Sequence, residues 1–324
     1  MKTGEFELIA RFVERLPAPG PDILIASGDD AAVAGHDGPV VVSVDAVVEG
    51  IHFERPAFSM SSVGSKALAS AISDLAAMGA APRHGYVVAG IPDDLPEDEV
   101  LQLADGIARV SEDQGMAIIG GDLVRSPTLM VSVTAIGSEL EGVPLVSRAG
   151  ALEGDSVVVT GSVGGAAAGL RLLADGAGAG TDQELLARQF DPTPRVRAGQ
   201  SLAEHGAGAM IDLSDGLVAD AAHLARASGK RIEIELDAVP FQEGALEVLS
   251  DHPREARIAA ASGGEDYELL ACIAPDRVEI VRDELAGDCE LTVIGSVSEG
   301  EGAELIDGDG TPVPTSGFDH FSGS

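Results

Sequence analysis

Apolar positions along the chain switch between a helical and an alternating period, and the switches mark its elements. Leu68, Ile72 and Leu75 fall on one side of a 3.6-residue repeat while Lys66, Ser70, Ser73 and Asp74 gather on the other. This predicts a helix over residues 62–78 that presents Asp74 from a polar face. Residues 97–114 repeat the helical pattern behind Pro96, which suits a helix start. Residues 40–44, 84–91 and 129–136 read as strands. The order in this half is α+β rather than strictly alternating βαβ.

Turn residues collect at 139–154 (Gly142, Pro144, Gly150, Gly154) before a fresh β-branched run at 156–160, which sets the domain boundary there: residues 1–145 and 146–324. Beyond it the pattern predicts helices at 164–174, 182–189, 195–205, 217–227 and 275–285. Strands are predicted at 156–160, 209–211, 231–235, 267–273 and 291–296. The stretch 176–180 alternates Gly and Ala and reads as an exposed loop. The fold class is α/β (α+β) in two domains.

Charge changes the picture. The chain of 324 residues carries 54 Asp+Glu against 20 Lys+Arg, a formal net charge of −34, with lysine only at Lys2, Lys66 and Lys230. An apolar fraction of 45% and a mean hydropathy of +0.18 exclude an acidic disordered tail. An acidic, lysine-poor surface suits a salt-rich cytoplasm, where ions screen self-repulsion, and it argues against a nucleic-acid partner, which needs a basic face. No opening segment resembles a signal peptide and no apolar run approaches membrane-spanning length, so a cytoplasmic location is expected. Cys272 and Cys289 read as packed thiols rather than a disulfide or metal pair.

Six acidic clusters stand in frames of small residues: Gly28-Asp29-Asp30, Ser43-Val44-Asp45, Ser73-Asp74, Gly120-Gly121-Asp122, Asp212-Leu213-Ser214-Asp215-Gly216 and Gly263-Gly264-Glu265-Asp266. Carboxylates are hard oxygen ligands, and glycine lets backbone N–H groups approach a phosphate, so the pattern points to metal-assisted phosphate chemistry. The chain has no G-x-x-x-x-G-K-[ST] loop, no G-x-G-x-x-G and no H-E-x-x-H. Each cluster alone also fits a structural role. Asp30 and Asp45 fit solvated turn acids, Asp74 a helix-surface acid, and Asp122 the acid of a turn that ends the buried run 117–119. Ser214 or Asp215 fits the N-cap of the following helix. Residues 263–267 fit an acidic turn entering a strand, and His52 an ordinary surface histidine.

Identity and order decide between these readings. SDLAAMGA at 73–80, IGGD at 119–122, IDLSDGL at 211–217 and SGGEDYEL at 262–269 resemble the thiamine-monophosphate kinase family, of the aminoimidazole ribonucleotide synthetase superfamily, and the likeness runs from Gly4 to Phe321. The resemblance implies transfer of the ATP γ-phosphoryl group to thiamine monophosphate by direct, magnesium-assisted transfer. It also implies a homodimer with an N-terminal domain for ATP, metal and dimerisation and a C-terminal α+β domain. By motif position it implies several Mg²⁺ on Asp30, Ser43, Asp45, Asp74, Asp122, Asp212 and Asp215. It places nucleotide contacts at Gly121, Asp122, Arg148 and Ser214, and substrate contacts at His52, Glu265 and Thr315. Val44 stands where relatives often carry a hydroxyl residue, and Thr315 where an aromatic often closes over the substrate, with Phe318 a substitute. The rival readings are an aminoimidazole ribonucleotide synthetase-type ligase and a non-catalytic divalent-cation-binding protein of a halophile. Selenophosphate synthetase would want an N-terminal cysteine and a hydrogenase-maturation relative a C-terminal one.

Overall fold

The computed structural model describes residues 5–25, 33–36, 38–176 and 182–314. The chain divides into two compact units, Met1–Leu75 with Ala80–Glu139, and Ala76–Gly79 with Leu140–Ser324. Asp30, Thr315 and Phe318, together with residues 177–180 of the Gly/Ala stretch, lie outside the described residues.

The first unit runs α1 (Glu5–Val13), β1 (Ile23–Ile25), β2 (Val33–Ala34), β3 (Val40–Val48), α2 (Met60–Ala77), β4 (Ala81–Ile91), α3 (Glu97–Asp113), β5 (Ala117–Arg125) and β6 (Met130–Ser138). Strands β3, β6, β4 and β5 form one sheet in that spatial order. The pairs β3/β6 and β6/β4 are antiparallel, whereas β4/β5 is parallel. Parallel neighbours need a crossover, and α3 supplies it, so this half holds one βαβ unit in an otherwise antiparallel sheet, in keeping with the α+β order expected from the sequence. Alternation assigns the two faces: Val131, Val133 and Ala135 of β6 are buried, while Val40, Val42 and Val44 of β3 are exposed.

Helix α2 differs from its predicted form. Lys66, Ser70 and Ser73, expected on a solvent-facing polar side, are buried as fully as Leu68 and Ile72. Partners inside make this possible: Ser70 Oγ donates to the Ala67 carbonyl at 3.3 Å, and Lys66 Nζ lies over the Phe58 ring, 5.6 Å from its centroid.

The second unit runs β7 (Ser156–Thr160), α4 (Gly165–Ala174), α5 (Gln183–Phe190), α6 (Val196–Glu204), β8 (Ala209–Asp212), α7 (Leu217–Ser228), β9 (Arg231–Glu235), α8 (Ala245–Leu249), α9 (Pro253–Ser262), β10 (Leu269–Ile273), α10 (Val278–Glu284), β11 (Leu291–Ser298), β12 (Gly302–Ile306) and β13 (Pro312–Val313). Its seven-stranded sheet has the order β13-β12-β9-β11-β7-β10-β8. Both faces are covered. Val157 and Val159 of β7 pack with Leu217, Ala221 and Leu224 of α7. Val158, between them in sequence, packs with Leu202 of α6 and with Val278 and Val281 of α10. A strand buried on both faces must be apolar throughout, which is why the run 156–160 was legible.

Candidate functional site

In the first unit the sheet joins two of the predicted acids' motifs directly. Ser43 lies on β3 and its Oγ donates to Asp74 Oδ2 of α2 at 2.5 Å. Asp45 shares the Ser43 face, two residues on, and its Oδ1 accepts from the Ala46 N–H at 2.6 Å. Val44 between them points to the other face, 66% exposed. His52 follows in the turn after β3, where its Nδ1 accepts from the Val48 N–H at 3.1 Å. Gly121 and Asp122 are exposed on β5, paired with Val87 and Val88, at the edge of the sheet opposite β3. Three strand spacings of ~4.8 Å separate those edges in a flat sheet. Residues 120–122 are therefore strand, not the turn predicted from their glycines, because pairing with β4 holds them extended through Arg125.

In the second unit two motifs are sewn together backbone to backbone. Asp212 ends β8, opposite Leu269 of β10, and is buried. Ser214 and Asp215 follow, half-buried. The Glu265 N–H donates to the Ser214 carbonyl and the Tyr267 N–H to that of Leu213, each at 2.9 Å, while the Leu213 N–H donates to the Glu268 carbonyl at 2.8 Å. A Cβ on Gly264 would stand 2.3 Å from the Ser214 carbonyl oxygen, and one on Gly216 2.6 Å from that of Ser262, so this seam requires glycine. Glu265 and Tyr267 adopt φ of 68° and 51°, rare for residues with a Cβ. The strand therefore begins at Leu269 rather than Tyr267. Glu265 Oε2 accepts from Gln189 Nε2 of α5 at 2.8 Å.

The N-cap reading of Ser214 and Asp215 fails: Gly216 occupies that position in α7 without a side-chain cap. The loop is held by Asp220 instead, a residue the sequence reading passed over. One oxygen of Asp220, in the first turn of α7, accepts from the backbone N–H groups of both Ser214 and Asp215 at 3.1 Å. Burial pushes the Asp220 carboxyl up to about 7, and the charges of Asp215 and Asp212 add to the rise. Asp266, in the other motif, accepts from the N–H groups of Gly164 and Ala166 at the start of α4, at 2.8 and 3.2 Å, and burial pushes it to about 7 as well. Arg148 is exposed in a turn before β7. Among the described residues no group of three or more His, Cys, Asp or Glu is placed to hold a metal ion.

Both units have counterparts in known proteins. The AIR synthase related protein N-terminal domain matches residues 28–138 and the AIR synthase related protein C-terminal domain residues 153–308. The thiamine-monophosphate kinase of Mycobacterium tuberculosis (strain CDC 1551 / Oshkosh) is 38% identical over 308 residues, covering 94% of this chain and 88% of the relative. A crystal structure of thiamine-monophosphate kinase from Stenotrophomonas maltophilia K279a superposes with a TM-score of 0.82 at 35% identity, over 94% of this chain and 95% of that one. A structure of AaThiL complexed with AMPPCP and TMP gives 0.78 at 31% identity over 99% of both chains. By the identity and coverage of these relatives, the chain belongs to the thiamine-monophosphate kinase family.

Proposed function

We propose that this chain transfers the γ-phosphoryl group of ATP to the phosphate of thiamine monophosphate, giving thiamine diphosphate. The observation that carries the reading is the seam in the second unit, where the acidic loop 212–216 and the Glu265 loop share backbone hydrogen bonds. The AaThiL relative complexed with AMPPCP and TMP supports the pairing of an ATP-like ligand with a thiamine substrate.

In the reaction, an oxygen of the substrate phosphate bonds to the γ-phosphorus, the bond from that phosphorus to the bridging oxygen breaks, and ADP leaves with the electron pair. The attacking phosphate has a second pKa near ~6 by analogy with phosphoserine, so it is already an anion and needs no general base. Direct transfer is favoured over a thiol intermediate, because burial pushes Cys272 up to about 12 and Cys289 up to about 11.

Magnesium fits the donor set. The candidate ligands are all oxygens, and Asp212, Asp215 and Asp220 crowd negative charge together. Mg²⁺ takes one or two carboxylates and completes its shell with water and phosphate, so it needs no prebuilt cage. We assign it to Ser43, Asp45, Asp74 and Asp122 in the first unit, with Asp30, and to Asp212 and Asp215 in the second. Bound there, several ions supply positive charge that offsets repulsion between the two phosphates. Gly121, Asp122, Arg148 and Ser214 serve the nucleotide, and His52, Glu265 and Thr315 the thiamine substrate.

Residues 1–145 then form the ATP, metal and dimerisation domain. The exposed row Val40, Val42 and Val44 supports a homodimer, since an apolar sheet face of this kind is best covered by a second copy. The charge of −34 supports a halophilic, cytoplasmic protein with no nucleic-acid partner. No described helix is long and apolar enough to cross a membrane. Incubation with ATP, Mg²⁺ and thiamine monophosphate, followed by chromatography, tests the reading: thiamine diphosphate should accumulate with ADP in equal amounts. ADP without the diphosphate would overturn it.

A further inference from the structure

We propose that Ser228 is a positioning residue for nucleotide binding, acting through the turn that carries Arg148. Its hydroxyl accepts from the N–H groups of Gly150 and Ala151, at 3.2 and 3.1 Å, and donates to the Arg148 carbonyl at 3.3 Å. A hydroxyl has one proton and two lone pairs, so this side chain is fully used on three successive peptide units.

The rest of the turn is pinned as tightly. The Met210 N–H of β8 donates to the Ser147 carbonyl at 3.0 Å, and Ser147 Oγ accepts from the Ala149 N–H at 3.2 Å. Gly150 has φ of 126°, and a Cβ there would stand 2.4 Å from the Gly208 carbonyl oxygen. Backbone from 147 to 151 is thus fixed to β8 on one side and to α7 on the other, while the Arg148 side chain remains exposed. Fixing a peptide so thoroughly beneath one exposed guanidinium serves to aim it.

Helix α7 gives the arrangement its purpose. Asp220 in its first turn holds the 214–215 loop, and Ser228 at its last residue holds the 148–151 turn. Eight residues at ~1.5 Å each set a rigid spacer of ~12 Å along the helix axis between the two anchors. Gly229 ends the helix in the left-handed conformation, φ 61°, so Ser228 is the last helical position from which a side chain can reach back to the turn.

The inference rests on Arg148 contacting the nucleotide, and a double-mutant cycle separates the two. Ser228→Ala should raise the KM for ATP about five- to tenfold, the scale of a lost hydrogen bond with some released order, while the KM for thiamine monophosphate and kcat move less than about twofold. Ser228→Thr, which keeps the hydroxyl, should restore most of the ATP affinity. Arg148→Ala should raise the KM for ATP at least as much, and adding Ser228→Ala to it should do nothing further, because Ser228 acts only through Arg148. If Ser228→Ala melts too low to assay, Ser228→Cys, close in size and a weak hydrogen-bonder, replaces it in the same cycle. Full additivity of the two changes, or equal losses for both substrates, overturns the positioning role while Arg148 keeps its nucleotide contact. An unchanged ATP KM in Arg148→Ala overturns both.

Discussion

Glu268 and Asp220 are both buried acids of the second unit, with 0% and 1% exposure, yet their surroundings are opposite in sign. Arg195 reaches both Glu268 oxygens at 2.7 and 2.6 Å, Arg188 adds a contact at 3.2 Å, and Thr160 Oγ1 donates at 2.7 Å. Asp220 receives two backbone N–H groups and otherwise feels the like charges of Asp215 and Asp212. The first acid is satisfied inside the fold and has nothing left for a ligand. The second stands in an excess of negative charge beside a half-buried loop, which a cation from outside can balance. Burial alone thus does not separate structure from function; the sign of the neighbouring charge does.

The largest effect should come from breaking the satisfied acid. Arg195→Met leaves Glu268 buried with weaker compensation, and removing one partner of such a pair costs about 3–5 kcal/mol. Urea unfolding should give a loss at the lower end of that range, because Arg188 remains. Adding Glu268→Leu should recover much of it. A loss below about 1 kcal/mol would place the pair among exposed salt bridges and remove the contrast.

Changing an acid of the negatively charged cluster should do the reverse. Asp212→Asn should lower kcat at least ~100-fold, the scale of losing a metal ligand, with unchanged or slightly raised stability because a repelling charge is removed. Asp74→Asn and Asp122→Asn should also abolish transfer while the circular-dichroism melt holds. Near-normal turnover in all three across a range of Mg²⁺ concentrations would sink the metal assignment.

The raised carboxyls also set a pH dependence. Asp220 and Asp266 titrate near 7 in the folded chain against an ordinary value of 3.8. Between those values the folded state holds protons that the unfolded state has released, so stability should fall as pH rises from about 4 to about 7, by up to ~1.4 kcal/mol per pH unit for each group. Above 7 these groups add no further slope. Asp220→Asn keeps an oxygen for both N–H groups, so it should flatten the slope without loosening the loop. Denaturant midpoints in metal-free buffer at pH 4.5, 6 and 7.5 test this, and an unchanged slope in the variant would show that Asp220 ionises normally.

Elements announced by local pattern were legible in the sequence, and contacts made by topology were not. The runs 156–160 and 231–235 match β7 and β9 because β-branched residues buried by a sheet leave a plain signal. Helix α9 went unseen: Ala256, Ala260 and Ala261 bury its face, and alanine marks no period strongly. Residues 120–122 read as a turn because glycine permits one, and only the register with β4 makes them strand. All six acidic clusters were visible, but Asp220 passed as an ordinary acid in a helix's first turn, although its place five residues after Asp215 was a usable signal. The Arg195–Glu268 pair spans 73 residues and has no local trace.

The smallest expected effect compares the same two environments under salt. The net charge of −34 acts over a screening length of ~30 Å at 0.01 M salt and only ~3 Å at 1 M, so the whole chain should gain stability between 0.01 M and 2 M KCl. The Arg195–Glu268 contact is buried and beyond the reach of that screening. The cost of Arg195→Met should therefore differ by less than about 0.5 kcal/mol between the two salt concentrations, even as wild type and variant both shift. Urea midpoints for both proteins at each concentration give the comparison. If wild-type stability is equal at low and high salt, the halophilic reading fails. If the variant's cost shrinks steeply with salt, Glu268 is open to ions and belongs with Asp220 after all.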